Sequence, residues 1–364
     1  MEKCYAMVLE EPGKFVKKEF PIPEPGDRDL LLRVEMVSIC GSDRLLYRGS
    51  HRLSSFPKIL GHEVVGYVDR LGAAAKREYG VDVGDRVTVE PYIACNKCEY
   101  CLTGLYQAHL PHMTYGVALN CDKPPYLWGA YSQYLFVAPG SRLHRIAPEV
   151  PAEAACLSSV IGNGVRWVRT KGEVRYGESV AIVGAGAQGL ASVVAAKESG
   201  AYPIMVIGLT KDRVKFEVAR EFGADFIIDL QKTDPAEEVR RITGGKMADV
   251  VIECAGVPAS VQTAFRLPRD CGRVVLAGVN GGREVPLKTD VIVNNELVVR
   301  GGHGQSWDVG EAAALINSRK YAVEKMISHR FPLEKAEEAM RLFLEGPEDC
   351  IRIGLVPESG PRKV

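Results

Sequence analysis

Three cysteines lie at intervals of three residues in the segment CNKCEYCLTGLYQAH: Cys95, Cys98 and Cys101. Thiolates at this spacing are typical of a loop that wraps a tetrahedral zinc ion, and a closed structural site needs a fourth ligand. Two shorter segments, CGSD at 40–43 and GHE at 61–63, supply a thiolate, an imidazole and a carboxylate. Zinc accepts this mixed ligand set, and a catalytic zinc keeps one position open. The cysteine spacing is a strong indication of one metal site, and the short segments are a weak indication of a second.

A glycine-rich turn lies in the segment SVAIVGAGAQGLASVV, where an apolar strand leads into Gly184, Gly186 and Gly189 and a helix-forming run follows. These glycines allow a tight turn, close approach of the backbone to a pyrophosphate, and packing of the helix on the strand. The N–H groups at the helix N-terminus would bind the phosphates. We expect these glycines and Gln188 to form a dinucleotide site, against the alternative of a purely structural turn.

The next predicted strand ends in VIGLTKDR, with Gly208 at the position where a carboxylate would bind the ribose 2′-hydroxyl of NAD. Thr210 can donate a hydrogen bond there, and Lys211 and Arg213 supply positive charge for a 2′-phosphate. The segment therefore favours NADP over NAD. The alternative stays open that both cations are ordinary solvated charges and that Asp212 serves NAD.

The chain of 364 residues predicts roughly two domains. Short β-like runs separated by glycine and proline fill the first 150 or so residues, and alternating strands and helices follow from about residue 152. Such alternation predicts a doubly wound parallel sheet, which makes the fold class α/β.

Composition excludes several kinds of partner. With 46 basic and 46 acidic side chains, no net charge attracts nucleic acid or an anionic membrane. The N-terminal segment MEKCYAMVLEEPGK lacks the apolar run of a signal peptide. Three of the ten cysteines are bunched and the rest are scattered, which favours metal ligation and reduced thiols over a disulfide framework. We therefore expect a cytoplasmic protein with neither nucleic acid nor membrane as partner.

The order of these motifs resembles the zinc-dependent medium-chain dehydrogenases, a family of alcohol, polyol, threonine and sugar dehydrogenases. The segments GDRV at 84–87 and GAYSQY at 129–134 fit the same pattern. The resemblance implies a GroES-like β-rich catalytic domain over 1–152 and 296–364. It implies a Rossmann cofactor domain over 153–295, and a homodimer or homotetramer.

The resemblance also assigns roles to single residues. Cys40 and His62 match the catalytic zinc ligands, and Glu63 matches the adjacent glutamate that ligates or approaches the metal. Asp43 matches the carboxylate that binds the ring N–H of the histidine ligand and fixes its tautomer. Ser42 matches the hydroxyl that passes the substrate proton outward.

The sequence departs from the family where a further acidic or cysteine ligand is usual, because Ser159 or Ser158 stands there. The expected ligand set is then Cys40, His62, Glu63 and a water or substrate. One thiolate and one carboxylate balance the dication. Cys156 is a reserve ligand, although a cysteine in an apolar run is usually just buried.

The family's structural zinc loop has the spacing C-x2-C-x2-C-x7-C, and seven residues past Cys101 the chain has His109. Cys3His is a common closed zinc set. His109 is therefore the expected fourth ligand. His112, Cys121 and a loop without metal are the alternatives.

These residues predict a zinc-dependent oxidoreductase that transfers a hydride between a secondary alcohol, polyol or sugar, or the matching carbonyl compound, and NAD(P). A catalytically silent NADP(H)-binding or sensing protein is the alternative, and a zinc-free quinone reductase conflicts with both metal patterns. The further proton acceptor after Ser42 is open, with His51 weighed against an ordinary loop histidine. The residues Tyr115, Trp128, Asn163 and His303 are weighed as substrate contacts against packing roles.

Overall fold

Short strands and helices alternate along the chain, of which a computed structural model describes residues 2–109 and 113–358. The strands are β1 (Lys3–Glu11), β2 (Lys14–Pro21), β3 (Leu30–Ser38), β4 (Lys58–Ile59), β5 (Glu63–Leu71), β6 (Arg86–Val89), β7 (Tyr134–Val137), β8 (Leu143–Arg145), β9 (Val180–Val183), β10 (Ile204–Gly208), β11 (Phe226–Asp229), β12 (Ala248–Glu253), β13 (Pro268–Leu276), β14 (Val298–Gly301), β15 (Ile327–Pro332) and β16 (Arg352–Val356). The α-helices are α1 (Gly41–Tyr47), α2 (Ala73–Tyr79), α3 (Glu99–Leu102), α4 (Ala152–Ala155), α5 (Ser158–Val165), α6 (Ala187–Glu198), α7 (Arg213–Glu221), α8 (Pro235–Ile242), α9 (Pro258–Ala264), α10 (Asp290–Asn294), α11 (Asp308–Asn317) and α12 (Ala336–Glu345). A π-helical turn covers Arg166–Lys171, and 3-10 turns cover Tyr106–Ala108, Thr210–Asp212, Val323–Met326 and Leu333–Lys335. Among the described helices, none is long and apolar enough to cross a membrane.

Mostly antiparallel strands build the first of two units, which comprises residues 1–159 and 313–364. Its larger sheet has the order β15-β16-β3-β5-β6-β8, with β7 also paired to β3, and its smaller sheet has the order β2-β1-β4. The central strand β3 has the apolar sequence LLLRVEMVS and is buried along most of its length. These strands therefore form a rigid support for the loops that leave their ends.

Strand register in the larger sheet brings three distant segments together. Ser38 at the end of β3 is opposite Glu63 at the start of β5. On its other side Ser38 is opposite Gly354 of β16. Because β16 and β3 are antiparallel, Arg352 lies beside the segment that follows Ser38. The C-terminal end of β3 and the N-terminal ends of β5 and β16 therefore lie together at one end of the strands.

The second unit, residues 160–312, contains a six-stranded sheet in the order β11-β10-β9-β12-β13-β14. All of its strand pairs are parallel. This order is that of the doubly wound dinucleotide-binding fold, in which the chain reverses direction across the sheet next to β9. Ligands of such sheets bind outside the carboxyl ends of the strands at this reversal. The glycine-rich turn follows β9 at that place.

The two units divide the chain at 159/160 and 312/313, whereas the predicted boundaries stand at 152/153 and 295/296. The second difference has a clear cause. Strand Val298–Gly301 pairs in parallel with β13, for example Val298 with Arg273, and so completes the six-stranded sheet as its edge strand. The short apolar run LVVRG does not reveal in sequence which sheet it joins.

Candidate functional site

The predicted catalytic residues Cys40, His62 and Glu63 converge in the first unit. One donor atom from each lies within 4.8 Å of the others. Cys40 is the N-cap of α1, and its backbone N–H donates to the Asp43 carboxylate over 2.8 Å, which fixes the turn between β3 and the helix. Glu63 is the first residue of β5 and His62 directly precedes it, and both side chains are buried. The sheet therefore presents a thiol, an imidazole and a carboxylate to one point, a donor set that suits zinc.

Asp43 is fully buried behind His62. Its Oδ2 accepts hydrogen bonds from the Cys40 N–H and from the Tyr131 hydroxyl, the latter over 3.1 Å. Its Oδ1 is 3.8 Å from His62 Nδ1, too far for a hydrogen bond. Neither of these two atoms has a hydrogen-bond partner among the described residues. Asp43 thus lies next to the His62 ring, but the hydrogen bond expected between them is not formed in this structure.

The charge state of His62 reflects the anions around it. Burial lowers the pKa of the imidazole, but interactions with the Cys40 sulfur and with the carboxylates of Asp43 and Glu63 outweigh burial and raise it to about 9. This raised pKa favours a proton on the His62 ring at neutral pH when no cation is bound to it. A divalent cation would take the place of that proton, because metal binding to histidine requires the neutral ring.

Arg352 is the residue of this cluster that the sequence analysis missed. It is buried on β16, where its Nη2 lies 3.3 Å from Glu63 Oε1 and its Nη1 donates to the Ile39 carbonyl over 2.6 Å. The hydroxyl of Ser38 donates to the other oxygen of Glu63. The only signal in the sequence is a charged residue inside the apolar run CIRIGLV. Arg352 thus adds one buried positive charge beside Glu63, which the charge balance expected from the sequence did not include.

The cysteine-rich loop forms a second group of donors, in which Cys95, Cys98, Cys101 and His109 again have donor atoms within 4.8 Å of one another. The Sγ atoms of Cys95 and Cys101 are 3.8 Å apart, and Cys98 Sγ is 3.4 Å from His109 Nδ1. A tetrahedral zinc with Zn–S bonds of about 2.3 Å would place two sulfurs about 3.8 Å apart. All ten cysteines are free. The loop thus has the dimensions of a zinc site without a disulfide.

Two interactions favour metal binding by this loop and fix its position. The backbone N–H groups of Lys97 and Cys98 point at Cys95 Sγ and lower the pKa of its thiol to about 7. The hydroxyl of Tyr106 donates to buried Glu90 over 2.5 Å, and Glu90 also contacts His144 Nε2 at 2.7 Å. The first interaction favours a thiolate, and the second ties the loop to the sheet.

The glycine-rich turn has the close contacts that a dinucleotide site requires. Gly184 has φ of 116°, which strains any other residue. A Cβ on Gly189 would lie 1.8 Å from the Gly184 carbonyl oxygen, so only glycine lets α6 approach the strand. Gly186 is the N-cap of α6 and has no atom within 4 Å of an added Cβ, which leaves the helix N-terminus open to a phosphate. Gln188 Oε1 is 3.4 Å from Asn163 Nδ2.

Comparisons with known proteins agree with this geometry. Residues 26–148 match the alcohol dehydrogenase GroES-like domain, and residues 187–318 match the zinc-binding dehydrogenase domain. The chain is 36% identical to the "Probable alcohol dehydrogenase adh" of Mycobacterium tuberculosis over 95% of its own length and 93% of that protein. The chain belongs to the zinc-dependent medium-chain dehydrogenase family. The predicted family, fold class and oxidoreductase function are thereby confirmed.

Two further relatives are similar over nearly the whole chain. Human sorbitol dehydrogenase is 32% identical, with coverage of 94% of this chain and 93% of that enzyme. A protein from Sinorhizobium meliloti, described as a zinc-binding dehydrogenase and crystallised with NADP, is 28% identical. It has a TM-score of 0.87 and covers 98% of this chain and 100% of its own. The dehydrogenase fold therefore extends over both units.

The position of the usual further ligand of this dehydrogenase family is occupied by residues with other contacts. Ser158 donates its hydroxyl to the Ala155 carbonyl over 2.8 Å, and Ser159 is buried. Cys156 is fully buried and contacts the Glu153 carbonyl. Burial first, and then the nearby charge of Glu63, raises the pKa of the Cys156 thiol well above its usual range. Cys156 is outside the donor group found among the described residues.

Several other predicted residues can now be placed in the dehydrogenase. The Ser42 hydroxyl is buried without a hydrogen-bond partner among the described residues, as befits a group that would meet a ligand. His51 Nδ1 accepts from the Leu53 N–H over 3.1 Å, a contact within its own loop. Tyr115 and Trp128 pack together with their ring centroids 6.4 Å apart, as expected for packing roles. His112 lies outside the described residues.

Proposed function

We propose that Cys40, His62 and Glu63 hold the catalytic zinc of this dehydrogenase and leave one coordination position for substrate. The convergence of their donor atoms within 4.8 Å carries this proposal. A bound zinc would supply Lewis acidity that lowers the pKa of an alcohol hydroxyl. Asp43 would orient the His62 ring, and Arg352 would hold the Glu63 carboxylate in place.

The proposed reaction is hydride transfer between a secondary alcohol, polyol or sugar, or the matching carbonyl compound, and the nicotinamide. In the oxidative direction the Ser42 hydroxyl accepts the substrate proton and passes it outward. Similarity to the human sorbitol enzyme supports a polyol among the substrates. The lack of an acidic side chain at Ser158 and Ser159 distinguishes this site from the polyol pattern, so simple secondary alcohols belong in the same test.

NADP is the proposed cofactor. Gly184, Gly186, Gln188 and Gly189 would hold its pyrophosphate, and the segment that begins at Gly208 would hold its 2′-phosphate. The side chains of Lys211 and Arg213 are exposed and supply two positive charges for that phosphate. Thr210 is adjacent to them and begins the same turn. The NADP-bound relative supports the choice.

The loop with Cys95, Cys98, Cys101 and His109 is proposed to hold a structural zinc. Four protein donors close the coordination sphere, so no position is left for a substrate. His109 is favoured over Cys121, because burial raises the pKa of the Cys121 thiol to about 11 and Cys121 is not in the donor group.

We also propose a homodimer or homotetramer that works in the cytoplasm. Strand β14 is an edge strand, and Val298 and Val299 on it are exposed by 43% and 36%. An apolar edge strand favours pairing with a second copy of the chain.

The free state of all ten cysteines supports a reducing compartment such as the cytoplasm.

The function is tested by assaying a panel of secondary alcohols and polyols with NADP before and after zinc is removed by a strong chelator. We expect turnover of at least one substrate by the zinc-loaded protein, nearly complete loss after chelation, and recovery when zinc is restored. Activity that survives complete loss of zinc would refute the proposal. Tight NADPH binding with no turnover of any substrate would instead support the silent binding protein.

Replacement of Asp43 by asparagine is expected to weaken zinc binding at the catalytic site by roughly 10- to 100-fold. The reason is that an amide oxygen is a weaker hydrogen-bond acceptor than a carboxylate, so it would hold the N–H of the neutral, metal-binding His62 ring in place less firmly. Competition with a chromophoric chelator would measure the affinity. The exposed Asp122→Asn change is the control and should leave it unaltered. Equal affinity of Asp43→Asn and the unmodified protein would show that Asp43 does not support the ligand.

A further inference from the structure

A carboxylate lies beside the end of β10, although that strand itself ends in Gly208. Asp229 is the last residue of the neighbouring strand β11, and it is the direct register partner of Gly208. The acidic residue that is missing from the end of β10 therefore has a counterpart one strand away. Its position was not apparent from the sequence, because it depends on how β10 and β11 pair.

Asp229 is held in a fixed place by three contacts. Its Oδ2 accepts a hydrogen bond from the Thr210 hydroxyl over 2.7 Å, and its Oδ1 accepts from the Gln231 N–H over 3.0 Å. Lys232 Nζ is 3.4 Å away on a side chain that is 70% exposed. The hydrogen bond from Thr210 is the main cause that lowers the pKa of Asp229. The carboxylate is therefore charged at neutral pH.

These contacts change what Thr210 can offer to a ligand. Its hydroxyl hydrogen is directed to Asp229, and its N–H donates to Gln231 Oε1 over 3.0 Å. Thr210 therefore presents an oxygen lone pair, not the donor expected from the sequence. A lone pair suits a ribose 2′-hydroxyl, which can donate, and does not suit a phosphate, which accepts only.

The positive charge in the same turn, in contrast, favours binding of a 2′-phosphate. Lys211 and Arg213 are exposed, and neither forms an ion pair with any residue that the structure describes. Asp212 adds little net charge, because Lys215 Nζ is 2.9 Å from its carboxylate. The turn thus carries two exposed cations, and the strand end beside it carries the anion of Asp229.

We propose that Asp229 is a specificity residue that weakens binding of the cofactor 2′-phosphate and keeps a hydroxyl acceptor for NAD, so that it moderates the preference for NADP that the two cations confer. The proposal rests on the proposed dinucleotide function. A single charge about 6 Å from the 2′-phosphate, partly screened by water, would change the affinity for that phosphate by about tenfold.

The test uses two probes that differ only in the 2′-phosphate, adenosine 2′,5′-bisphosphate and adenosine 5′-monophosphate, with calorimetry as the readout. Asp229→Asn should tighten binding of the bisphosphate about tenfold and change binding of the monophosphate by less than about twofold. The ratio of the dissociation constants of NADPH and NADH should move in the same direction. Glu217→Gln removes one exposed negative charge from α7 of the same unit. It should change neither the ratio of the dissociation constants of the two adenosine probes nor that of NADPH and NADH.

Asp229→Ser keeps a hydroxyl oxygen near Thr210 and should also tighten binding of the bisphosphate relative to the monophosphate. This second variant serves as the test if the asparagine variant does not fold. An unchanged ratio in a folded variant would overturn the proposal. The unmodified protein tests the cofactor assignment separately. If it binds the monophosphate more tightly than the bisphosphate, the preference for NADP fails, whereas the shift caused by Asp229→Asn still tests the role of Asp229.

Discussion

Replacement of Cys40 by serine is expected to lower kcat/KM by roughly 10³-fold and to remove one of two zinc ions from each chain. Zinc contributes several kcal/mol to stabilisation of charge in the transition state, and each 1.36 kcal/mol corresponds to a factor of about ten in rate. Serine has nearly the shape of cysteine, but its hydroxyl is a poor zinc ligand. The remaining donors, His62 and Glu63, would not retain the metal at ordinary concentrations.

Steady-state kinetics and metal analysis of the same preparation measure both effects. Cys271→Ser is the matched control, because Cys271 is exposed and outside both donor groups found in the described part of the chain. It should keep two zinc ions and full activity. A Cys40→Ser protein with two zinc ions and unimpaired turnover would contradict the catalytic site.

Loss of the second zinc is expected to affect stability and not chemistry. In Cys101→Ser the loop between Cys95 and His109 loses its closed ligand set, and its folding energy depends on the metal. We expect the free energy of unfolding to fall by about 3 kcal/mol or more, which lowers Tm by roughly 4 °C or more for a chain of 364 residues. Activity at 25 °C should stay within about threefold of the unmodified enzyme, because the loop leaves no position for substrate.

Thermal unfolding, metal analysis and limited proteolysis within the loop would test this prediction. Cys121→Ala is the control, and its comparison with His109→Ala also tests whether His109 or Cys121 is the fourth ligand. It removes a buried thiol, which costs about 1 kcal/mol, and should leave two zinc ions in place. If Cys121→Ala loses the loop zinc and His109→Ala keeps it, the assignment of His109 is wrong.

Features formed by neighbouring residues in the chain could be predicted from the sequence. The cysteine spacing and His109 lie on one short loop, so the four donors can meet without help from the rest of the fold. The glycine turn is equally local, because Gly184 and Gly189 contact each other across a single strand-to-helix junction. Family resemblance added the pairing of Cys40 with His62, which local sequence alone did not justify.

Features that depend on strand register could not be predicted in this way. Arg352 reaches Glu63 only because β16 pairs with β3. Asp229 reaches Thr210 only because β11 pairs with β10. The assignment of Val298–Gly301 to the cofactor sheet has the same origin. In each case the sequence contains a suitable residue type, but nothing in its spacing identifies the partner.

Anomalous X-ray diffraction at the zinc absorption edge, recorded on crystals of the metal-replete enzyme, tests the central claim most directly. We predict two zinc peaks per chain, one about 2.0–2.3 Å from donor atoms of Cys40, His62 and Glu63 and one at the cysteine-rich loop. A map with the loop peak alone, and with Cys40 and His62 turned away from each other, would contradict the proposed active site.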